Sequence, residues 1–382
     1  MQSQQKAFSI PRDTTYLNCA YMGPLPKKGE AAGIEAMKRK RNPAGITAAD
    51  FFTESDVLRK EFARLINAKN SQRVVIIPSA SYGIANAVKN VPLTKGDEVV
   101  IVAEEFPSGY YPWVARCEET GAIIKTISQP DTLQRRGEQW NAKILAAINN
   151  KTKVVSISSV HWSDGTLFNL LEIRKKTKDV GAALVIDGTQ SIGAMPFDVE
   201  QIQPDVVVCA AYKWLLGPYA IGLAYYGPMF DNGKPIEESW LNRLNAEDFR
   251  SLVQYNSQYK EGALRYEMGE HSSFIYVPML IESLKLLNKW KPANIQKYCA
   301  SITSESIKKL RKAGFWIEDN DSRTQHIIGI RIPAHLDLEK LSARLKKNKV
   351  FVSLRGNSIR VAVNVYNTKA DVEKFTRLLL AK

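Results

Sequence analysis

A lysine lies between two aromatic residues in the segment VCAAYKWLLGP, residues 208–218. An apolar run precedes Lys213, and a Gly-Pro pair follows it. Burial deprives an ammonium group of its hydration, so a lysine in apolar surroundings either extends its amine to water or has a lowered pKa and a chemical role. Lys213 is therefore the first candidate for a reactive amine.

A second candidate is Asp187, which ends the apolar run ALVID at residues 183–187. Taken alone, Asp187 is more typical of a turn residue than of a functional carboxylate, because Asp-Gly pairs are common turn formers. Lys213 changes the interpretation, since both residues follow strands that we expect to be neighbours in one sheet. Pyridoxal phosphate (PLP) requires such a pair: its aldehyde forms a Schiff base with a lysine, and a carboxylate holds its pyridine nitrogen protonated.

Two further segments match the remaining parts of this cofactor. SASYG, residues 79–83, opens a helix with free amides and two hydroxyls, which suit a phosphate. On its own, Ser81 is more typical of an ordinary helix N-cap. Phe106 in EFPSGYYPW offers a ring that can stack on the cofactor, although a lone phenylalanine is more often part of the core.

The elements that must position these residues alternate between strand and helix. The predicted strands are RVVIIP (73–78), EVVIVAE (98–104), AIIKTIS (122–128), KVVSISS (153–159), ALVIDG (183–188), DVVVCAA (205–211) and IGLAYYG (221–227). Most are continuous apolar runs, which indicates a sheet covered on both faces. We therefore predict an α/β fold with a mostly parallel seven-stranded sheet covered by helices, whose ligands bind beyond the carboxyl ends of the strands.

The alternation of strands and helices changes from about residue 239. Long helical patterns come first, followed by HIIGIRIP, VFVSLRG, SIRVAVNV and a last helix, which together predict a smaller α+β domain. We divide the chain into an N-terminal segment (1–30) packed near the site and the small domain, a large PLP-binding domain (31–255) and a small domain (256–382).

Composition limits the class of protein. The 382 residues are 45% hydrophobic, and no apolar stretch approaches the roughly 20 residues of a membrane span. The start of the chain lacks the pattern of an export signal, so we expect a cytoplasmic protein without a membrane partner. Four widely spaced cysteines predict free thiols and no metal site.

The net charge of +14 raises the question of a nucleic-acid partner. The densest basic run, KRKR at residues 38–41, is typical of a solvated helix face. No aromatic-interleaved RNA-binding signature, zinc finger or basic zipper accompanies it. We therefore expect no nucleic-acid partner.

The segment DGTQSIGAMPFDVEQIQPDVVVCAAYKWLLGP, residues 187–218, resembles the signature region of class V aminotransferases. This PLP-dependent family includes cysteine desulfurases, kynureninases and isopenicillin N epimerases. The resemblance extends from YLNCAYMGPLP (16–26) to SIRVAVNVYNT (358–368). The D-x-x-Q motif at residues 187–190, followed by a strand and then by Lys213, is fairly specific for this family.

The resemblance implies a role for each matching residue around the cofactor. Lys213 is the Schiff-base lysine, and Asp187 is the partner of the pyridine nitrogen. Gln190 contacts the ring hydroxyl, and Phe106 stacks on the ring. The phosphate is held by the backbone of Ala80 and Ser81, the Ser81 hydroxyl and Tyr212.

It also implies two contacts beyond the cofactor pocket. Relatives form homodimers in which the segment matching RYEMGEHSS (265–273) reaches the partner's phosphate, and this makes His271 or Ser272 a candidate. Arg360 matches the arginine that grips the substrate carboxylate bidentately. Outside the family pattern, such an arginine is more often part of a surface ion pair.

The chain departs from the family pattern at several positions. Desulfurases carry a reactive cysteine shortly before the arginine, whereas VSLRGNSIR (352–360) contains none, so we do not expect that activity. Asp164 in HWSDG stands where an asparagine often contacts the cofactor. Glu270 occupies the place of a phosphate-binding threonine. His161 fits a catalytic histidine and a hydrogen-bonded histidine at a strand end about equally well.

The function we predict is that of a PLP-dependent enzyme acting on an amino acid, with transamination to a keto acid as the favoured reaction. An epimerase or a C–S or C–C lyase of the same fold is the alternative, because the same site residues serve all of these outcomes. A non-catalytic, basic nucleic-acid-binding protein is the least favoured interpretation.

Overall fold

Strands and helices alternate along the chain in the computed structural model, which describes residues 1–381. The strands are β1 (Thr15–Tyr16), β2 (Val74–Ile77), β3 (Glu98–Val102), β4 (Ile123–Ile127), β5 (Thr152–Ser158), β6 (Ala183–Asp187), β7 (Val206–Ala210), β8 (Gly222–Tyr226), β9 (Ile327–Arg331), β10 (Val350–Phe351), β11 (Ser353–Arg355) and β12 (Ser358–Ala362). The helices are α1 (Lys27–Arg39), α2 (Thr53–Leu65), α3 (Ala80–Asn90), α4 (Pro107–Thr120), α5 (Arg136–Ala147), α6 (Leu170–Val180), α7 (Val199–Ile202), α8 (Tyr276–Trp290), α9 (Pro292–Lys312), α10 (Leu338–Lys347) and α11 (Lys369–Leu380). Within residues 1–381, no helix combines the length and the apolar composition that crossing a membrane requires.

The seven predicted strands form one sheet in the order β2-β8-β7-β6-β5-β3-β4. Strands β7, β6, β5, β3 and β4 are parallel, and the prediction of a mostly parallel, helix-covered sheet is confirmed. Alternate residues of β3 enter opposite cores, with Val100 and Val102 in one and Val99 and Ile101 in the other. A strand buried on both faces needs apolar residues at every position, which explains the continuous runs.

One strand of the large sheet, β8, runs antiparallel to both of its neighbours, β2 and β7. The connection from β7 to β8 spans residues 211–221 and contains no helix. A parallel return needs a longer crossover, usually helical, so this short connection brings β8 back in the opposite direction. Lys213 lies in this connection, directly beyond the carboxyl end of β7.

A second, three-stranded antiparallel sheet has the order β11-β12-β9. The N-terminal strand β1 pairs in parallel with β10, and Asn18 bridges to Ala362 at the end of β12. Residues 15–18 therefore lie with the C-terminal part of the chain. Our boundary at residues 255 and 256 falls in a stretch of loops and short 3-10 turns and remains a prediction.

A buried ion pair covers the edge of the large sheet at β2. The backbone amide of Ile76 donates to Glu267 Oε1 (3.2 Å), and the amide of Met268 donates to the Ile76 carbonyl (3.1 Å). Arg59 Nε and Nη2 donate to the two Glu267 oxygens at 3.0 and 2.5 Å. Burial opposes the charge of Glu267, but Arg59 holds the pKa of its carboxyl below the ordinary value. The pair fixes β2, the strand that leads into Ser79–Ser81.

We expect Arg59→Ala to lower the free energy of unfolding by about 3–5 kcal/mol, because it leaves the Glu267 carboxylate buried without its partner. Lys308→Ala, which removes an exposed helical pair with Glu305, is the matched control and should change stability by no more than about 0.5 kcal/mol. Urea denaturation of both variants measures the difference. Equal effects would contradict the role assigned to the Arg59–Glu267 pair.

Candidate active site

A cavity of about 350 Å³ lies beyond the carboxyl ends of the central strands. The structure brings seven of the predicted residues to its wall: Ala80, Ser81, Phe106, Asp187, Gln190, Tyr212 and Lys213. They come from separate segments of the chain, which the parallel strands and the N-terminus of α3 deliver to one edge of the sheet.

Lys213 is nearly enclosed, with 6% of its surface exposed. Its Nζ lies 5.0 Å from the centre of the Phe106 ring and 5.4 Å from that of Tyr212. Burial lowers the pKa of the Lys213 amine to about 8; the Asp187 carboxylate opposes this shift, and the Arg360 guanidinium adds to it. About a tenth of the amine is therefore neutral, and so nucleophilic, near pH 7, far more than for an ordinary lysine.

Asp187 ends β6 and lies opposite Val208 of the adjacent strand β7. Its Oδ1 accepts a hydrogen bond from the Thr189 amide (2.8 Å). Burial raises the pKa of this carboxyl, while the Thr189 hydrogen bonds and the charge of Lys213 oppose the change. Among the described residues Asp187 and Lys213 form no direct ion pair, so a carboxylate and an amine face one cavity without neutralising each other.

The N-terminus of α3 forms one end of the cavity. Ser79, rather than Ser81, is the N-cap, since its Oγ accepts a hydrogen bond from the Tyr82 amide (3.2 Å). Ser81 Oγ lies 2.9 Å from Ser79 Oγ and lines the cavity. The first amides of a helix lack intrahelical acceptors, and the helix dipole favours an anion at this position. A phosphate fits this end of the cavity.

The N-terminal segment packs behind the lysine. The amide of Gly23 donates to the Tyr212 carbonyl (2.8 Å), and Gln190 Nε2 donates to the Ala20 carbonyl (3.1 Å). A Cβ at position 23 would lie 2.1 Å from the Lys213 carbonyl oxygen, so only glycine fits there. Gln190 Oε1 also accepts a hydrogen bond from Trp214 Nε1 (2.8 Å), which anchors the residue that follows the lysine.

Arg360 lies on β12 with 1% of its surface exposed, so it is not part of a surface ion pair. Its Nη1 donates to the Trp162 carbonyl (2.7 Å) and its Nη2 to Ser353 Oγ (3.4 Å), whereas its Nε is buried without an acceptor among the described residues. No described carboxylate pairs with it. Burial, together with repulsion from Arg355, lowers the pKa of this guanidinium to about 9.

Arg360 is not among the residues of the cavity wall, and three further predicted residues also lie away from it. Asp164 accepts hydrogen bonds from buried Arg136 (2.7 Å) and from the Thr166 amide (3.0 Å), and it lines a neighbouring cavity instead. The Asp164 carboxylate is the counterion of Arg136. A neutral asparagine, the residue that the family often has at this position, would not neutralise that charge.

The remaining two, His271 and Ser272, are buried in the loop before α8. His271 is fully enclosed, with Nδ1 3.0 Å from Ser55 Oγ and Nε2 3.4 Å from Glu267. The contact of His271 or Ser272 with a partner's phosphate therefore stays a prediction. The neighbouring Glu270 is exposed and has a positive φ of 57°.

His161 also lies outside the wall of the cavity. The ring is buried against Trp140 (5.0 Å between centres), and its Nδ1 lies 2.9 Å from Ser163 Oγ and 3.3 Å from Asp164 Oδ1. Burial opposes its charge, but Asp164 raises the pKa of His161 above the ordinary value. Of the two interpretations, these contacts favour a structural histidine.

Sequence reasoning missed Trp162 and Glu105. Trp162 lines the cavity, and its ring lies edge-on to Phe106 with the centres 5.6 Å apart. Glu105 is buried and accepts hydrogen bonds from the Phe106 amide (2.7 Å) and from Ser158 Oγ (2.6 Å), which fixes the backbone of Phe106. Their position in the sequence could have identified them, because Glu105 follows β3 closely and Trp162 follows β5.

The fold and the site define a class of protein. A helix-covered, mostly parallel sheet carries an amine, a carboxylate and a helix N-terminus around one cavity, and these groups match the aldehyde, the ring nitrogen and the phosphate of PLP. The chain matches the family model for Aminotransferase class-V over residues 44–377. It belongs to that family, and it is a PLP-dependent enzyme.

Relatives and solved structures agree with this assignment. The chain is 26% identical to the uncharacterized aminotransferase YcbU of Bacillus subtilis over 340 residues, which cover 88% of this chain and 86% of that protein. It is 29% identical to a cysteine desulfurase of an Enterobacter species over 171 residues, or 44% of this chain and 41% of that protein.

Two solved structures share the fold. One is an apo cysteine desulfurase from Thermococcus onnurineus, with a TM-score of 0.84 and 18% identity over 99% of this chain and 98% of that chain. The other is the cystine C-S lyase C-DES in complex with cysteine persulfide, with a TM-score of 0.84 and 18% identity over 96% of this chain and 97% of that chain.

The lowered pKa of Lys213 predicts a pH-dependent stability. Below about pH 8 the amine is charged in both the folded and the unfolded chain, and its burial costs the folded state about 3 kcal/mol at about 1.4 kcal/mol per pKa unit. Between that pH and the ordinary pKa of 10.5, the folded chain binds fewer protons, so stability rises with pH and the cost disappears.

We therefore expect cofactor-free Lys213→Met to be more stable than the cofactor-free wild type by up to about 3 kcal/mol near pH 7, with the difference shrinking towards pH 10. Urea denaturation at both pH values measures this difference. Lys308→Met, at an exposed lysine, is the control and should show no such pH dependence. If Lys213→Met is less stable than the wild type at pH 7, the proposed environment of the amine is wrong.

Proposed function

We propose that this PLP-dependent enzyme is an aminotransferase that acts on a free amino acid and yields the keto acid. The observation that carries the proposal is the buried guanidinium of Arg360, which has no carboxylate partner among the described residues. A buried charge without a counterion is destabilising unless a ligand supplies one. The α-carboxylate of an amino acid is such a ligand, and arginine binds it bidentately.

The distribution of charge supports placing this carboxylate close to Lys213. The positive charge of Arg360 acts on the Lys213 amine, and its Nη1 donates to the carbonyl of Trp162, a residue of the cavity wall. A carboxylate bound to Arg360 holds the substrate amine and α-carbon on the Lys213 side of Trp162. Holding the reacting groups in this orientation would lower the entropic cost of the reaction.

The cavity wall supplies the groups that would hold the cofactor. Asp187 would pair with the pyridine nitrogen, Phe106 would lie on the ring, and the amides of Ala80 and Ser81 with the Ser81 hydroxyl would hold the phosphate. When bound, PLP supplies an aldehyde that bonds to an amine and a protonated ring that stabilises negative charge on the adjoining carbon.

Lys213 would act as the base of the reaction. Its amine, neutral above a pKa of about 8, takes the proton from the substrate α-carbon and returns a proton on the same face. Among the described residues, Lys213 is the one lysine on the wall of the cavity, and no histidine or glutamate joins it there. A lysine base that acts on one face suits the proton transfer of transamination.

Cysteine desulfuration is not proposed. That reaction needs a mobile, exposed thiol near the substrate, and all four cysteines of this chain are buried. Cys19 lies behind Lys213, with its Sγ 3.8 Å from the lysine carbonyl, and burial raises the pKa of its thiol to about 12. Buried free thiols also support a reducing compartment such as the cytoplasm.

The test is a panel of amino acids added to the holoenzyme, with the visible absorbance of the cofactor and the formation of keto acid followed together. We expect a preferred amino acid to bleach the absorbance and release one equivalent of keto acid. Arg360→Gln should retain the cofactor absorbance and lose about a hundredfold or more in kcat/KM. Lys213→Ala should show no turnover.

Other products would assign a different reaction. Release of a fragment of the side chain identifies a lyase, and inversion of the α-carbon without keto acid identifies an epimerase. Turnover by Arg360→Gln at the wild-type rate would refute the carboxylate role of Arg360.

We also propose that the protein is a homodimer with the cavity near the subunit interface. Tyr219 lines the cavity yet has 65% of its surface exposed, and Tyr21, in the segment that packs behind Lys213, has 59% exposed. The Tyr219 ring lies 4.7 Å from that of Tyr212. Exposed aromatic side chains around a site are typical of a surface that another chain covers.

Sedimentation of the holoenzyme should give a species of twice the mass of the chain. Tyr21→Asp, which places a charge in the proposed interface, should raise the dimer dissociation constant at least about tenfold, since each tenfold change needs only about 1.4 kcal/mol. Ile123→Asp, at an exposed position on the distant edge strand β4, is the control and should leave the dimer intact. A fully active monomer would contradict the proposal.

A further inference from the structure

A second cavity, of about 680 Å³, adjoins the Lys213 cavity. The two share one residue of their walls, Trp162. The wall of the second cavity includes Trp316, Arg331 and Arg355, with Asn357 on the turn between β11 and β12 and Ser358 at the start of β12. It thus joins the end of the large sheet to the small sheet, close to the strand that carries Arg360.

Two guanidiniums line this cavity without a carboxylate partner among the described residues. Arg355 lies with its Cζ 5.0 Å from the centre of the Trp162 ring, and Arg331 lies 5.0 Å from that of Trp316. Their hydrogen-bond acceptors are neutral: the Leu354 carbonyl for Arg355 and Gln129 Oε1 for Arg331. Arg355 Nε is buried with no acceptor in the described part of the chain.

The carboxylates nearby are either paired elsewhere or in water. Asp164 and Glu318 both bind the fully buried Arg136, at 2.7 and 3.0 Å. Glu104 and Asp131 also line the cavity but are exposed. The charges of Asp164, Glu104 and Glu318 act on Arg331, whereas burial alone acts on Arg355, so the uncompensated positive charge of the cavity is that of Arg355 beside the Trp162 ring.

This charge extends to the reacting amine. The positive charge of Arg355 acts on both Lys213 and Arg360. Trp162 contacts all three parts of the arrangement, since it packs on Phe106, lies under Arg355 and accepts a hydrogen bond from Arg360 through its carbonyl. Because Arg360 donates to the Trp162 carbonyl and Trp162 lines both cavities, a substrate bound to Arg360 would lie near the boundary of the two cavities.

We propose that the second cavity binds the side chain of the substrate and selects an amino acid whose side chain ends in an oxyanion, with Arg355 as the principal partner and Arg331 as the outer one. This inference rests on the proposed function, because it takes the α-carboxylate to lie on Arg360. Arg355 is a specificity-determining residue in this arrangement and takes no part in the proton transfer.

The test compares acids with their neutral isosteres on the holoenzyme. We expect kcat/KM for the preferred acid among glutamate, aspartate and O-phosphoserine to exceed that for glutamine, asparagine or serine by about tenfold to a hundredfold, as expected for hydrogen bonds to a charged group. Arg355→Gln should lower the ratio of acid to neutral isostere to near one. The acid with the largest ratio distinguishes a carboxylate from a phosphate.

Arg64→Gln controls for the loss of one positive charge, because Arg64 lies on α2 with 72% of its side chain exposed. It should change neither the ratio nor the rate. Arg331→Gln should reduce the ratio less than Arg355→Gln. A wild-type ratio near one, or an equal loss for acid and isostere in Arg355→Gln, would overturn the inference while leaving the proposed function intact.

A binding measurement separates the two proposals. Isothermal titration calorimetry of the holoenzyme should show tighter binding of glutarate than of butyrate, and Arg355→Gln should weaken glutarate binding at least about tenfold more than it weakens butyrate binding. If this pattern holds but no amino acid is converted, the proposed reaction fails and the oxyanion site stands. If amino acids are converted but glutarate binds no better than butyrate, the oxyanion site fails.

Discussion

The site depends on holding the Lys213 amine in a nearly closed cavity opposite a buried carboxylate that it does not touch. Each charge alone is unfavourable there, since burial lowers the pKa of the amine and raises that of Asp187. A direct ion pair would relieve both groups, but Asp187 ends β6 and Lys213 lies in the connection after β7, and no ion pair joins them among the described residues. The folded chain thus retains an electrostatic cost that a ligand with a positive nitrogen at one end and an aldehyde at the other relieves.

The surrounding structure keeps the cavity open despite this electrostatic cost. The N-terminal segment packs on the backbone of the lysine through Gly23, Gln190 ties it to Trp214, and Glu105 fixes the segment that carries Phe106. The same N-terminal segment pairs with β10 and with the end of β12. It therefore connects the reactive lysine to the sheet that carries Arg360, and this connection sets the position of the guanidinium relative to the amine.

Positive charge is concentrated on one side of the site. Arg360 and Arg355 both have a lowered guanidinium pKa because burial is not offset by a carboxylate, while Arg136, deeper in the structure, is neutralised by Asp164 and Glu318. This difference distinguishes Arg136, which has a structural role, from Arg360 and Arg355, which are suited to binding a ligand. It also explains the aspartate at position 164, which serves the structure between the two sheets and lies outside the cofactor cavity.

The sequence by itself determined the seven strands, the small C-terminal sheet and the residues at the strand ends, because continuous apolar runs and the polar residues that follow them are local patterns. It also identified the lysine and the aspartate that share a cavity, since neighbouring parallel strands deliver their carboxyl ends to one edge. Only the tertiary structure decided the antiparallel direction of β8, the N-cap at Ser79, the enclosure of His271 and the pairing of Asp164 with Arg136. The enclosure of His271 and the pairing of Asp164 with Arg136 depend on distant segments, whose contacts the spacing of residues does not reveal. The N-cap and the direction of β8 depend on the point where a helix begins and on a connection without a helix, and the residue pattern locates such boundaries only within a few residues.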